Sequence, residues 1–190
     1  RDLSVTWNYG EDPALYLLDT GRLRGVVETA AEAAQWGREM PKGRGLGIAA
    51  HRSFVTYVAA VVEAEVGEGG FLTIPRVDIA VDCGPQINPE RIRSQMEGAV
   101  VMGVSLATLG EITFKDGRTE QTNFDGFEVT RIDAAPKEIH VHIMPASDYS
   151  LPLGGVGEPG VPPIAPALTN AIFNATGKRI RSLPIRNQLA

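Results

Sequence analysis

The segment from Leu151 to Pro166 is crowded with glycine and proline and carries one ionisable side chain, Glu158. Prolines restrict a loop's backbone angles, and glycines let it turn sharply or lie close against another group. Regular structure is excluded there, and the segment reads as a loop shaped around one carboxylate. Val156, Pro159, Val161 and Pro162 would partly desolvate that carboxylate, an environment suited to a general base. A solvated glutamate on a run of ordinary turns fits the same spacing equally well.

Other chemistry-bearing residues are sparser. His140 and His142 share one face of a strand-like run, where a metal pair is conceivable, but with His51 the only other histidine the expectation is a solvated strand. Cys83 is the single cysteine, so neither a disulfide framework nor a thiolate metal site can be built, and its place between Asp82 and Gly84 suggests a small packing residue. Arg131, Lys178, Arg179 and Arg181 read as a solvated face. Three alternating glycines in PKGRGLG, residues 41–47, suggest a phosphate cradle, but a β-type run follows them. The helix N-terminus that such a cradle needs is missing, so that reading fails.

The elements that must position these residues follow from periodicity and punctuation. Residues 1–18 show no period and read as a lead-in. Thr20 can cap a helix to about Trp36 that Gly37 stops. Ile48 to Val66 reads as one long strand, apolar on both faces and therefore buried on both sides. Gly67 to Gly70 turns the chain into a second strand, Leu72 to Val81. Asn88-Pro89 starts a helix running to Leu109, with Ile92, Met96, Val100 and Leu106 as an apolar stripe. Gly98, Ala99, Gly103 and Ala107 leave a small-residue face for close approach of a backbone or a ligand. Asp116-Gly117 marks a tight hairpin. Glu138 to Met144 alternates as a further strand, and a helix over 164–176 ends at Gly177. Helices and antiparallel hairpins without a βαβ rhythm predict an α+β fold, with helices packed on antiparallel or mixed sheets.

Composition limits the partners. A net charge of −5 and a pI near 5.2 supply no basic stripe for phosphate backbones, so nucleic acid is not expected. No run approaches the roughly twenty apolar residues that span a bilayer, so no direct membrane span is expected. The start at Arg1 suggests an internal piece of a longer polypeptide, some of whose apolar surface awaits its companion.

Four motifs together carry a resemblance: VDCGPQINPE (81–90), QMEGAVVMG (95–103), QTNFDGFEVTRI (121–132) and GGVGEPGVPPIAPALTNAIFNATGKRIRSLP (154–184). They resemble the C-terminal region of the large subunit of molybdenum hydroxylases, the xanthine dehydrogenase and aldehyde oxidoreductase family, most nearly the isoquinoline 1-oxidoreductase branch. The resemblance implies a molybdopterin-binding domain over residues 43–190, preceded by a lead-in segment and helix over 1–42. It implies Glu158 as the base beside molybdenum, and Gln95, Gly98, Gly155, Val156 and Gly157 as cofactor-binding residues. No protein metal ligand is implied, because the metal is held by its pterin and terminal ligands. The cofactor implied is molybdopterin cytosine dinucleotide, in the complete enzyme rather than in this piece alone. The reaction implied is hydroxylation of an N-heterocyclic aromatic, isoquinoline-like substrate with oxygen from water. Aldehyde oxidation within the same family is the alternative, and the piece by itself would be an inactive half-module. The partners implied are the remainder of the large subunit and a small iron–sulfur subunit, in the periplasm or cytoplasm of a bacterium.

Overall fold

The computed structural model describes residues 6–7, 18–146 and 148–190. Its strands are β1 (Thr6–Trp7), β2 (Leu18–Asp19), β3 (Arg44–Ser53), β4 (Thr56–Val66), β5 (Leu72–Asp82), β6 (Phe114–Lys115), β7 (Arg118–Thr119) and β8 (Glu138–Ile143). Its α-helices are α1 (Thr20–Ala33), α2 (Pro89–Thr108) and α3 (Ile164–Thr176). Most of the expected lead-in lies outside the described residues.

The central sheet has the order β3-β4-β5-β8, with β3, β4 and β5 antiparallel and β8 parallel to β5. The fold is therefore α+β on a mixed sheet. Strand β4 is buried on both faces because a helix layer covers each. Tyr57, Ala59 and Val61 pack with Val26 and Ala30 of α1. Val58, Ala60 and Val62 pack with α2 and α3 through Met96, Val100, Leu168 and Ile172. All of these side chains are buried, and each valine, leucine, isoleucine or methionine removed from water contributes roughly 1.5–3 kcal/mol.

Three expectations are corrected. The run Ile48 to Val66 is not one strand: it belongs to two antiparallel strands joined at Phe54-Val55, both with positive φ (50° and 63°). Helix α1 is capped by Asp19, whose Oδ1 accepts from the Gly21 and Arg22 amides, rather than by Thr20. It also ends at Ala33, short of Gly37. There the Gln35 amide donates to the Glu32 carbonyl and the Trp36 amide to the Ala31 carbonyl, the paired closure in which a left-handed residue, here Gln35 (φ 52°), ends a helix.

The glycines of PKGRGLG have a packing role. A Cβ on Gly45 would come within 2.5 Å of the Ala171 carbonyl, and one on Gly47 would overlap the Ala167 carbonyl. Their bare backbone lets α3 lie directly on β3. Elsewhere local signals hold. Asn88 caps α2 through the Arg91 amide, Asp116 and Gly117 take the positive φ of a primed turn, and Gly177 (φ 74°) closes α3. Among the described residues no helix is long and apolar enough to cross a membrane.

Candidate functional site

The Glu158 loop is held at both ends. At its entry the Gly154 amide donates to the Cys83 carbonyl and the Gly155 amide to the Phe54 carbonyl, both at 2.9 Å. At its exit a Cβ on Gly160 would lie 2.7 Å from the Ala99 Cβ and 3.1 Å from the Met96 Sδ, so glycine alone lets the loop rest on α2. Pro159 and Gly160 are buried, and the Val161 amide donates to the Glu158 carbonyl at 2.9 Å. The loop is thus a shaped support on which Glu158 stands.

Gln95 lies on the same surface. Its Nε2 is 3.8 Å from the position of a Cβ on Gly157, and both residues are exposed. Gly98, one turn further along α2, is exposed with nothing within 4 Å of its would-be Cβ. Among the described residues, the amides of Val156, Gly157 and Glu158, the Gln95 side-chain amide and the Glu158 carboxylate make no hydrogen bond or ion pair. The Gly155 amide is committed to Phe54. The expected desolvation of Glu158 is corrected: Pro159 turns into the body and Val156 packs partly on the core, leaving the carboxylate exposed.

Beneath the loop lies a charged support that the motifs did not disclose. Arg22 of α1 grips Asp82 at the end of β5 through Nε and Nη2, at 2.8 and 2.7 Å, and Asp82 Oδ1 also accepts from the Gly84 amide. Burial pushes the Asp82 carboxyl up, but Arg22 and the Gly84 amide outweigh it and hold it below the ordinary range. Further along β5 a fully buried carboxylate, Asp78, accepts from Arg76 Nε and Nη2 and lies 3.0 Å from His142 Nε2. Burial again pushes upward, and Arg76 with His142 brings Asp78 below its usual value. His142 therefore pairs with an acid beneath it instead of belonging to a merely solvated strand, while His140 lies 3.0 Å from Glu138 on the surface. Burial raises the Cys83 thiol, as a packing residue requires.

A cavity of about 240 Å³ borders the loop, lined by Cys83, Ile87, Arg91, Leu153 and Val156 among others. A larger one of about 430 Å³ lies between Phe71, Val104, Leu109 and Leu189, and no candidate residue lines it. Among the described residues no group of three His, Cys, Asp or Glu is arranged to hold a metal ion. The open groups are hydrogen-bonding amides and one carboxylate, a set that suits a polar organic cofactor approaching a bare glycine surface.

A three-layer α+β domain with an amide-lined surface and one projecting carboxylate defines the class, a cofactor-binding domain. The molybdopterin cofactor-binding domain model matches residues 22–136, and the chain belongs to that family, the molybdenum hydroxylases. It is 33% identical to the isoquinoline 1-oxidoreductase subunit beta of Brevundimonas diminuta over 87% of this chain and 21% of that one. It is 30% identical to the membrane-bound aldehyde dehydrogenase (pyrroloquinoline-quinone) of Gluconacetobacter polyoxogenes, over 87% of this chain and 22% of that one. The aldehyde oxidoreductase structure from Desulfovibrio gigas superposes with a TM-score of 0.61 at 26% identity, covering 70% of this chain and 15% of that one. The chain spans about a fifth of the length of the curated relatives it matches.

Proposed function

We propose that this chain supplies the base-bearing part of the cofactor site of a molybdenum hydroxylase, with Glu158 as the base and Gln95, Gly98, Gly155, Val156 and Gly157 as the cofactor-facing residues. The observation that carries this reading is the convergence of Gln95 and the Gly157-Glu158 backbone on one open surface. When bound, the molybdenum cofactor supplies a two-electron acceptor and the point of oxygen transfer to an electron-poor carbon. This chain's own residues help to hold that group and to move the proton. The Val156, Gly157 and Glu158 amides and the Gln95 side chain offer hydrogen bonds to the cofactor's polar edge. The bare Gly98 surface admits its close approach. The Glu158 carboxylate takes the proton released as oxygen from water joins the substrate.

The cofactor form we propose is molybdopterin cytosine dinucleotide. An N-heterocyclic, isoquinoline-like substrate is favoured by the isoquinoline 1-oxidoreductase relative. Aldehyde oxidation is the second reading, favoured by the aldehyde dehydrogenase relative and the D. gigas structure. The remaining pocket walls belong to the rest of the large subunit, a reading supported by the exposure of Ile87 (81%) and Leu153 (59%) beside the loop. Electrons leave to an iron–sulfur carrier outside this chain, whose one cysteine cannot supply the four thiolates of a cluster, and the carrier this proposal assigns is a small iron–sulfur subunit.

The test is turnover of the complete enzyme on isoquinoline and on an aromatic aldehyde in ¹⁸O-labelled water, with molybdenum quantified in the same preparation. Label in the hydroxylated product of a molybdenum-containing enzyme is expected, with the larger kcat/KM for the heterocycle. Product oxygen drawn from O₂, or turnover without molybdenum, would overturn the reading.

A further inference from the structure

The β3–β4 turn is built against its own sequence. The register pairs Ser53 with Thr56, so Phe54 and Val55 are the two central residues, and both have positive φ. Two-residue turns of this hand favour Asn, Asp and Gly. An aromatic and a β-branched residue there are genuine outliers, and such conformations persist only where the surroundings over-determine them.

The surroundings are the Glu158 loop. The Phe54 carbonyl accepts from the Gly155 amide at 2.9 Å, and the Phe54 Cβ stands 2.9 Å from where a Cβ on Gly155 would be. The next position, Thr56, is buried with its hydroxyl unpartnered, and a Cβ on Gly154 would overlap that hydroxyl. Two successive bare glycines thus rest on the turn, one on Phe54 and one on Thr56, three and four residues before the carboxylate. A turn serving only to join two strands would need neither contact.

We propose that Phe54 is a positioning residue for Glu158: its left-handed backbone presents carbonyl and Cβ as a seat that fixes Gly155 and so sets where the carboxylate stands. This rests on the reading of Glu158 as the base. Phe54 acts through the loop and takes no part in the chemistry itself.

The test is a cycle in the complete enzyme: Gly155→Ala, Phe54→Gly and the double variant. Three quantities are read: hydrogen exchange of the peptide spanning residues 151–163, molybdenum content, and kcat separately from KM. Gly155→Ala drives a methyl into Phe54, so loop exchange should accelerate and kcat should fall about tenfold or more, with KM little changed, as small misplacements of a reacting group do. Phe54→Gly keeps the carbonyl and tolerates the positive φ, so its own effect is smaller. The double variant removes the clash and should return exchange and kcat to about the level of Phe54→Gly, the coupling expected of residues in contact. Should Gly155→Ala not accumulate as folded protein, recovery of folded yield in the double variant is the same result.

Unchanged exchange in Gly155→Ala, or a loss that the double variant does not relieve, would overturn the seat. Exchange that follows the cycle while turnover stays constant throughout would overturn the Glu158 reading and leave the seat standing.

Discussion

Gln95 Nε2 lies 3.8 Å from the point where a Cβ on Gly157 would project, so helix α2 and the glutamate loop meet at an amide and a bare backbone. The contact leaves the amide's hydrogen-bonding groups unused among the described residues. A side chain exposed on a helix and bonded to nothing contributes little to folding. Gln95→Ala should therefore leave stability within about 0.5 kcal/mol of wild type. In the complete enzyme it should lower the molybdenum retained through gel filtration. Full retention would remove Gln95 from the cofactor-binding set.

The two glycines of α2 should respond oppositely to alanine. A methyl on Gly103 would lie 2.5 Å from the Ile164 Cβ, so Gly103→Ala overpacks the α2–α3 contact and should cost about 1–3 kcal/mol in denaturant unfolding. Gly98 has open space around it, and Gly98→Ala should gain roughly 0.5–1 kcal/mol from helix propensity. That same substitution should weaken cofactor retention in the complete enzyme, because a methyl occupies the bare surface. Destabilisation by Gly98→Ala would show that Gly98 is held by packing.

This division along α2 was only partly legible in the sequence. Asn88-Pro89 and Gly177 are local signals that locate α2 and α3 to within a residue or two, and Asp116-Gly117 locates the β6–β7 turn, though the strands it joins are only two residues each. Ile92, Met96 and Val100 are buried as the apolar stripe implies, but Leu106 at its far end is 39% exposed, and Gly103 packs on Ile164 of α3. The turn at Phe54-Val55 and the end of α1 at Gln35 carry no such signal, since left-handed backbone there falls on residues that seldom adopt it. Asp78 and His142 are 64 positions apart and meet only through the parallel register of β5 and β8. The glutamate loop was visible by composition, but its convergence with Gln95 depends on how α2 packs.

The buried Asp78 and the half-buried Asp82 set a pH dependence with a definite sign. Asp78 and Asp82 both have folded-state pKa values below their ordinary ones, so the unfolded chain binds protons first as pH falls. Their contribution is fully present above the unfolded value of about 3.9 and is lost as pH drops through the lower folded values. The denaturant midpoint of wild type should thus fall below about pH 5, more steeply than that of Asp78→Asn, whose deficit at neutral pH should shrink in acid. Parallel pH curves for the two proteins would contradict the pairing of Asp78 with Arg76 and His142.

The central claim is that Glu158 is the base, and Glu158→Gln in the complete enzyme tests it most directly. The amide keeps the size and hydrogen-bonding reach of the carboxylate but cannot accept a proton at neutral pH. General-base catalysis is typically worth about 10²- to 10⁴-fold, so kcat should fall by at least that much while molybdenum content and thermal stability stay at wild-type values. Near-normal turnover with full molybdenum content and an unchanged pH profile would contradict the account.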